Sequence, residues 1–222
     1  MTSHQTPIPI PPQESDNETL TPKQAERRQR ILVAVRKLVS NLGYAQVSMR
    51  DVAAEAGVAH ATLYNLYTNK DNLVLAALQD NIGRVARIRQ EENTNPVEKY
   101  LGIVRAVVQD VVDGPRYAEA MSQLLFNASP TDDVVKVLIA NRIAYDRRSL
   151  LDMKDHGLIM DNADLEPLAR QLTGTYWSSM LLWMKGFTAL HDVPRETIRA
   201  HKLVLSAVAT KRGHEALSQV LT

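Results

Sequence analysis

Residues 48–73, SMRDVAAEAGVAHATLYNLYTNKDNL, concentrate side chains able to touch a phosphate or a base edge. His60, Thr62, Tyr64 and Asn65 bring imidazole, hydroxyl and amide groups into one short stretch, with Ala61 among them. His60 and Asn65 are the better base readers, whereas Thr62 and Tyr64 suit phosphate oxygens. Ser48 would place a hydroxyl and free backbone N–H groups at a helix start, a favourable position for a phosphate. Arg50 and Lys70 add positive charge within the same stretch.

Such groups are useful only if a rigid turn presents them. Two short helices meeting steeply need a small residue at their crossing, a residue tolerant of left-handed geometry in the turn, and an apolar plug. Ala53, Gly57 and Leu63 meet these demands in order. Val52, Ala56, Val58 and Leu66 are expected to face the same small core, with Tyr67 mostly buried. A second helix at about 60–67 would then lie in the major groove of a duplex. An ordinary helical hairpin is the competing reading.

The elements around this motif read as helices. Thr21 and Gln24 form a plausible capping box with Pro22 at the first helical position, and Ser48 with Asp51 gives a second start. Ile31, Val35, Leu38 and Leu42 fall on one helical face, and Gly43 supplies a natural stop. Further helices are expected near 71–91, 97–112, 116–127, 132–156, 164–189 and 195–211, separated at Asn93–Pro96, Gly114–Pro115, Ser129–Pro130, 157–164 and Asp192–Pro194. Strand signals are weak, so the fold class is all-α. Residues 1–20 hold Pro7, Pro9, Pro11 and Pro12 and few bulky apolar groups, which points to a disordered tail. Residues 21–70 then form the helix-turn-helix head and 71–222 a larger body.

Charge agrees with this division. The 222 residues carry a net charge of +1. Residues 21–70 hold eight Lys/Arg against Glu26, Asp51 and Glu55, an excess of +5, while residues 1–20 sum to −3 and the remainder to −1. A basic segment on a near-neutral body suggests a local polyanion-binding surface.

Taken together, Gly43-Tyr44, Val47 through Ala53, Ala56-Gly57-Val58, Thr62-Leu63-Tyr64 and Lys70 through Leu73 resemble the DNA-binding signature of TetR-type regulators. The likeness is dense over roughly residues 25–75. It implies a three-helix head and a helical body whose last two long helices form a dimeric four-helix bundle, with a ligand cavity in each body. Three positions depart from the family pattern. Leu66 stands where a phosphate-touching His or Tyr is frequent, Tyr67 where Phe is commoner, and His60 where a basic or small polar residue is usual. The stretch around Arg170–Trp183 bears a loose likeness to steroid-catabolism repressors of the family.

In the body, Met121, Phe126, Tyr145, Met153, Trp177, Met180 and Met184 are candidates for an adaptable apolar pocket; core filling is the plainer role for any one of them. Leu172, Tyr176, Ser179 and Trp183 share a helical face and, with Leu203, Leu205 and Val208, are candidates for a dimer seam. The sequence has no Cys, no His pair at metal-ligand spacing, no G-x-S-x-G elbow and no phosphate-binding Gly loop. Neither a metal, a cofactor nor a catalytic centre is therefore expected, and a cytoplasmic location with no membrane span fits. The expected partners are a near-palindromic DNA operator, a small, hydrophobic effector and a second copy of the chain. An enzyme or carrier for a hydrophobic metabolite, and a DNA-binding protein without any ligand, remain the rival classes.

Overall fold

The computed structural model describes residues 20–74, 76–80, 95–127 and 133–220, and within them the chain is helical without a β-strand. The tail expected over residues 1–20 and most of the second half of the helix expected at 71–91 lie outside the described residues.

Helix α1 spans Pro22–Leu42 and opens with the expected capping box, in which Thr21 Oγ1 accepts from Gln24 N and the Gln24 side chain accepts from Thr21 N. Its apolar stripe is Ile31, Leu32, Val35 and Val39, all fully buried. Leu42, expected on this stripe, is exposed at the last position of the helix before Gly43. A 3₁₀ turn at Tyr44–Gln46 leads to α2 (Met49–Ala56) and α3 (His60–Tyr67), and residues 70–74 and 76–80 are helical again.

The body contains α4 (Pro96–Asp113), α5 (Pro115–Asn127), α6 (Asp133–Asp155), α7 (Leu165–Met184), α8 (Val193–Ser206) and α9 (Lys211–Gln219). Two differ from the sequence reading. The helix expected to run from 164 to 189 stops at Met184, since Gly186 adopts φ +77° and turns the chain. The last helix divides: α8 ends at Ser206, the Ile159–Ala209 bridge pins the chain, and Thr210 caps a separate α9 by accepting from Gly213 N.

Apolar burial is partitioned. One cluster joins α1, α2, α3, Leu73, Val74 and Ala77, and also takes in Ala120 and Met121 from α5. A second, in the body, gathers Leu101, Val104, Leu150, Met153, Leu172, Ile198 and Leu205. Smaller groups form around Met180 and around Ile103 and Val107.

Candidate functional site

The head builds its exposed face from buried supports. Helix α2 starts at Ser48, whose Oγ accepts from Asp51 N while the Asp51 carboxylate accepts from Ser48 N at 3.1 Å and Ser48 Oγ at 2.5 Å. These bonds, those from the Ser48 side chain first, hold the exposed Asp51 carboxyl below its ordinary range. They also occupy the Ser48 hydroxyl, so an approaching phosphate meets it beside a carboxylate. The helix ends at Gly57 in the left-handed region, φ +64°, and Val58 N donates back to Ala53 O at 3.0 Å. Ala53 and Leu63 are buried, completing the small-residue crossing and the plug.

Buried Leu63 and Tyr67 fix which way α3 faces. Leu66, expected in the same core, is 47% exposed. With one residue per ~100° of turn, it lies roughly 80° off the midline of Leu63 and Tyr67. On the outer side His60, Ala61, Tyr64 and Asn65 are exposed, and Thr62 is half-buried at the edge. The His60 and Tyr64 rings meet edge to face with their centres 4.8 Å apart. Ser48 and Arg50 are exposed on α2. Lys70 is half-buried: its ammonium donates to Tyr44 O at 3.1 Å and sits 4.1 Å from the centre of the Tyr44 ring. The sequence-predicted contact residues therefore divide into an exposed strip on α3, a flank on α2 and a tethered cation behind them.

The proposed pocket residues do not form one site. Met121 belongs to the head cluster, Met153 to the main body core, and Met180 packs with Val108, Val111 and Val193. Trp177 meets Phe126 at 6.3 Å and Tyr176 at 5.0 Å, both edge on, and Phe126 and Met184 keep solvent contact. Tyr145 stacks on Tyr100 at 6.3 Å, apart from this group. A cavity of about 310 Å³ is lined by Asn95, Pro96, His156, Leu158, Arg212, Glu215, Ala216 and Gln219, none of them a predicted pocket residue.

The predicted seam residues are split between surface and core, with Leu203 strongly exposed. Leu172 and Leu205 are buried in the protomer's own core, and Val208 packs on it. On the face shared by Leu172, Tyr176, Ser179 and Trp183, Leu172 is buried and the other three are half-buried, with Tyr176 against Arg142. Leu172 and Leu205, already covered, cannot add area to an interface. The exposed apolar groups on this side of the body are Leu181, Leu182, Phe187 and Leu203.

Sequence reasoning missed a buried polar cluster. Asp146 on α6 is fully buried and accepts from Tyr100 Oη at 3.0 Å, Thr173 Oγ1 at 2.8 Å and Arg142 Nε at 3.1 Å. Burial raises the Asp146 carboxyl above its ordinary value against the pull of Arg142 and its hydrogen bonds. Desolvation likewise drives Tyr100 well up, with the Asp146 charge adding to it. His201 on α8, also fully buried, is held at about 4 by desolvation and then by the Arg142 charge. The available signal was an Arg–Asp pair at i, i+4 on a long helix, which surface helices also carry.

Comparison with known proteins agrees with this architecture. Residues 31–77 match the family described as "Bacterial regulatory proteins, tetR family". The chain is 30% identical over 175 residues to the HTH-type transcriptional repressor KstR of Rhodococcus jostii, covering 77% of this chain and 78% of that one. It shares its fold with a TetR-family transcriptional regulator from Rhodococcus sp. at a TM-score of 0.67 and 20% identity, covering 82% of this chain and 99% of that one. The TetR-family repressor FadR of Thermus thermophilus, solved in complex with lauroyl-CoA, superposes with a TM-score of 0.62 at 22% identity, over 80% and 93% of the two chains. With its head, turn and body arranged in this way, the chain belongs to the TetR family of regulatory proteins.

Proposed function

We propose that this protein is a transcriptional repressor that holds a near-palindromic operator as a homodimer and leaves it when a small, hydrophobic effector enters the body. The observation that carries this reading is the strip on α3. His60, Ala61, Tyr64 and Asn65 face solvent while Leu63 and Tyr67 lock the helix from behind. A short helix so presented fits a major groove, with Ser48 and Arg50 on α2 and Thr62 at the groove edge reaching phosphates. Lys70, tethered to Tyr44, contributes its charge from behind.

The division into a tail at 1–20, a head at 21–70 and a body at 71–222 remains our working frame. The buried aromatic and polar groups of α4, α6, α7 and α8 support a site for the effector in the body. A relative of the same fold bound to lauroyl-CoA supports an apolar ligand there. The exposed apolar side chains of Leu182, Phe187 and Leu203 support a dimer contact on the body. An effector releases DNA only through its preference for one dimer geometry, with coupling of about 1–3 kcal/mol. The relative KstR is named a transcriptional repressor, which favours this reading over an enzyme. Among the described residues no helix is long and apolar enough to cross a membrane, and no group of His, Asp and Glu is arranged to hold a metal. Action in the cytoplasm on chromosomal DNA follows from the proposal.

The deciding experiment is selection of bound genomic fragments by the purified protein, followed by titration of the best fragment at two salt concentrations. Enrichment of a near-palindrome is expected. Weak, steeply salt-dependent binding with no enriched sequence would reduce the head to a generic polyanion surface.

A further inference from the structure

The polar cluster of the body is not completed by the fold. Tyr100, Thr173 and Arg142 saturate the Asp146 carboxylate, and Arg142 with Asp146 leaves the cluster neutral overall. Two buried nitrogens at its border have no hydrogen-bond partner among the described residues: Arg142 Nη2 and His201 Nε2. The first is a donor. The nature of the second follows from the other ring nitrogen, because His201 Nδ1 lies 2.9 Å from Thr197 O, and a carbonyl only accepts. Nδ1 therefore carries the hydrogen, and in the neutral ring Nε2 is an acceptor.

Tyr100 links the two groups. Its hydroxyl shares Asp146 with Arg142, and its ring centre lies 6.0 Å from that of His201. The Arg142 guanidinium rests over the rings of Tyr145 at 5.7 Å and Tyr176 at 5.1 Å. Both rings pack on Ile103 and Val107 of α4, an apolar patch separate from the larger cores. The donor thus stands beside a wall of aromatic and aliphatic carbon, which continues from Tyr145 through the Tyr100 ring to the acceptor.

We propose that Arg142 and His201 form the inner end of the effector site, and that they recognise a hydroxyl group at the tip of an apolar compound lying along Tyr145, Tyr176, Ile103 and Val107. This rests on the effector-released reading above. One hydroxyl oxygen accepts from Arg142 Nη2 while its hydrogen goes to His201 Nε2. A ketone answers only Arg142. A carboxylate brings a lone pair to His201 Nε2 and an uncompensated negative charge to a neutral, buried cluster, which is costly. A hydrocarbon leaves both nitrogens unmet.

The test uses full-length protein and two matched probe sets, the decalin and n-decyl skeletons, each as hydrocarbon, alcohol, ketone and carboxylate. Binding is read by thermal shift and calorimetry. In at least one set the alcohol should bind about tenfold tighter than the other three members. His201→Phe keeps the ring but removes the acceptor, and should abolish the alcohol-over-ketone preference while leaving ketone binding unchanged. Should that variant fail to fold, the ¹⁵N resonance of His201 Nε2 in the unaltered protein must move on adding the alcohol and stay put on adding the ketone. Preference for the carboxylate or hydrocarbon, no binding in either set, or a silent Nε2 with the bound alcohol overturns the proposal. An alcohol that binds in a His201-dependent way yet leaves operator affinity unchanged upholds this site and refutes the release reading instead.

Discussion

His201 sits about 2.5 units below its ordinary 6.5, at about 4, so the unfolded chain takes up a proton before the folded one does. Stability should therefore fall as pH drops from about 6.5 towards 4, by up to ~3 kcal/mol at ~1.4 kcal/mol per unit. Asp146 is shifted upward and works in the opposite sense, since its native form binds the proton more readily. Urea unfolding of the protein and of His201→Gln, compared at pH 7 and pH 4.5, isolates the histidine: the variant should show the shallower loss. On α3, alanine at His60 or Asn65 should change the preferred operator sequence at a cost of about 1–3 kcal/mol, whereas Thr62→Ala and Tyr64→Phe should weaken all sequences alike. Competition binding against a randomised operator separates the two patterns, and a uniform loss from all four would dissolve the distinction. These outward-facing polar residues were legible in sequence because small helices expose what they do not bury. The Asp146 cluster was not, as its members come from α4, α6, α7 and α8 and only the packing brings them together.

Helix α9 shows what periodicity leaves unread. Its start is pinned by hydrogen bonds, Thr210 N donating to Leu158 O at 3.1 Å, Thr210 Oγ1 to Gly157 O at 2.8 Å and Met160 N to Val208 O at 2.9 Å, while Ala216 and Leu217 sink into the body core. Gly213 is pressed so closely against Leu158 that a Cβ there would overlap its carbonyl oxygen and crowd Ala209. Gly213→Ala should accordingly lift α9 from the body and destabilise the protein by about 1–3 kcal/mol. Faster hydrogen exchange confined to α9 and its neighbours, with operator binding intact, is the expected result; unchanged exchange would contradict it. In the sequence, Thr210 is an ordinary cap signal, but Gly213 in the first turn of a helix argues against a helix there. Only the close approach to Leu158 explains why it is tolerated. The capping boxes at Thr21 and Ser48 were readable for the opposite reason, since every partner lies within three residues.

At the level of the whole molecule, the question is which surface a second copy covers. Helical spacing on α7 identified a face but not how deeply it lies: Leu172 is buried, while Tyr176, Ser179 and Trp183 are half-buried. Leu203, 74% exposed on α8, and Phe187, 81% exposed just beyond α7, are the groups on which the proposed seam rests. Leu203→Glu should shift the protein from dimer to monomer at micromolar concentration in analytical ultracentrifugation and weaken operator binding sharply, because two half-sites would no longer be gripped together. A dimer that persists would move the seam elsewhere.

The head's apolar cluster has one further consequence, for anyone recombining such regulators. Since Ala120 and Met121 of α5 complete a core otherwise made by α1, α2, α3 and the residues following Asn69, a chimera cut after the recognition helix would carry an open hydrophobic face. Arg36 adds to the dependence, donating to Ala77 O and pairing with Asp80, both at 3.2 Å. A working graft of this reader onto a foreign sensor would have to bring the α5 patch with it or rebuild it in the host. The same shared core means that natural exchange of heads between sensors is constrained by a few residues far along the chain.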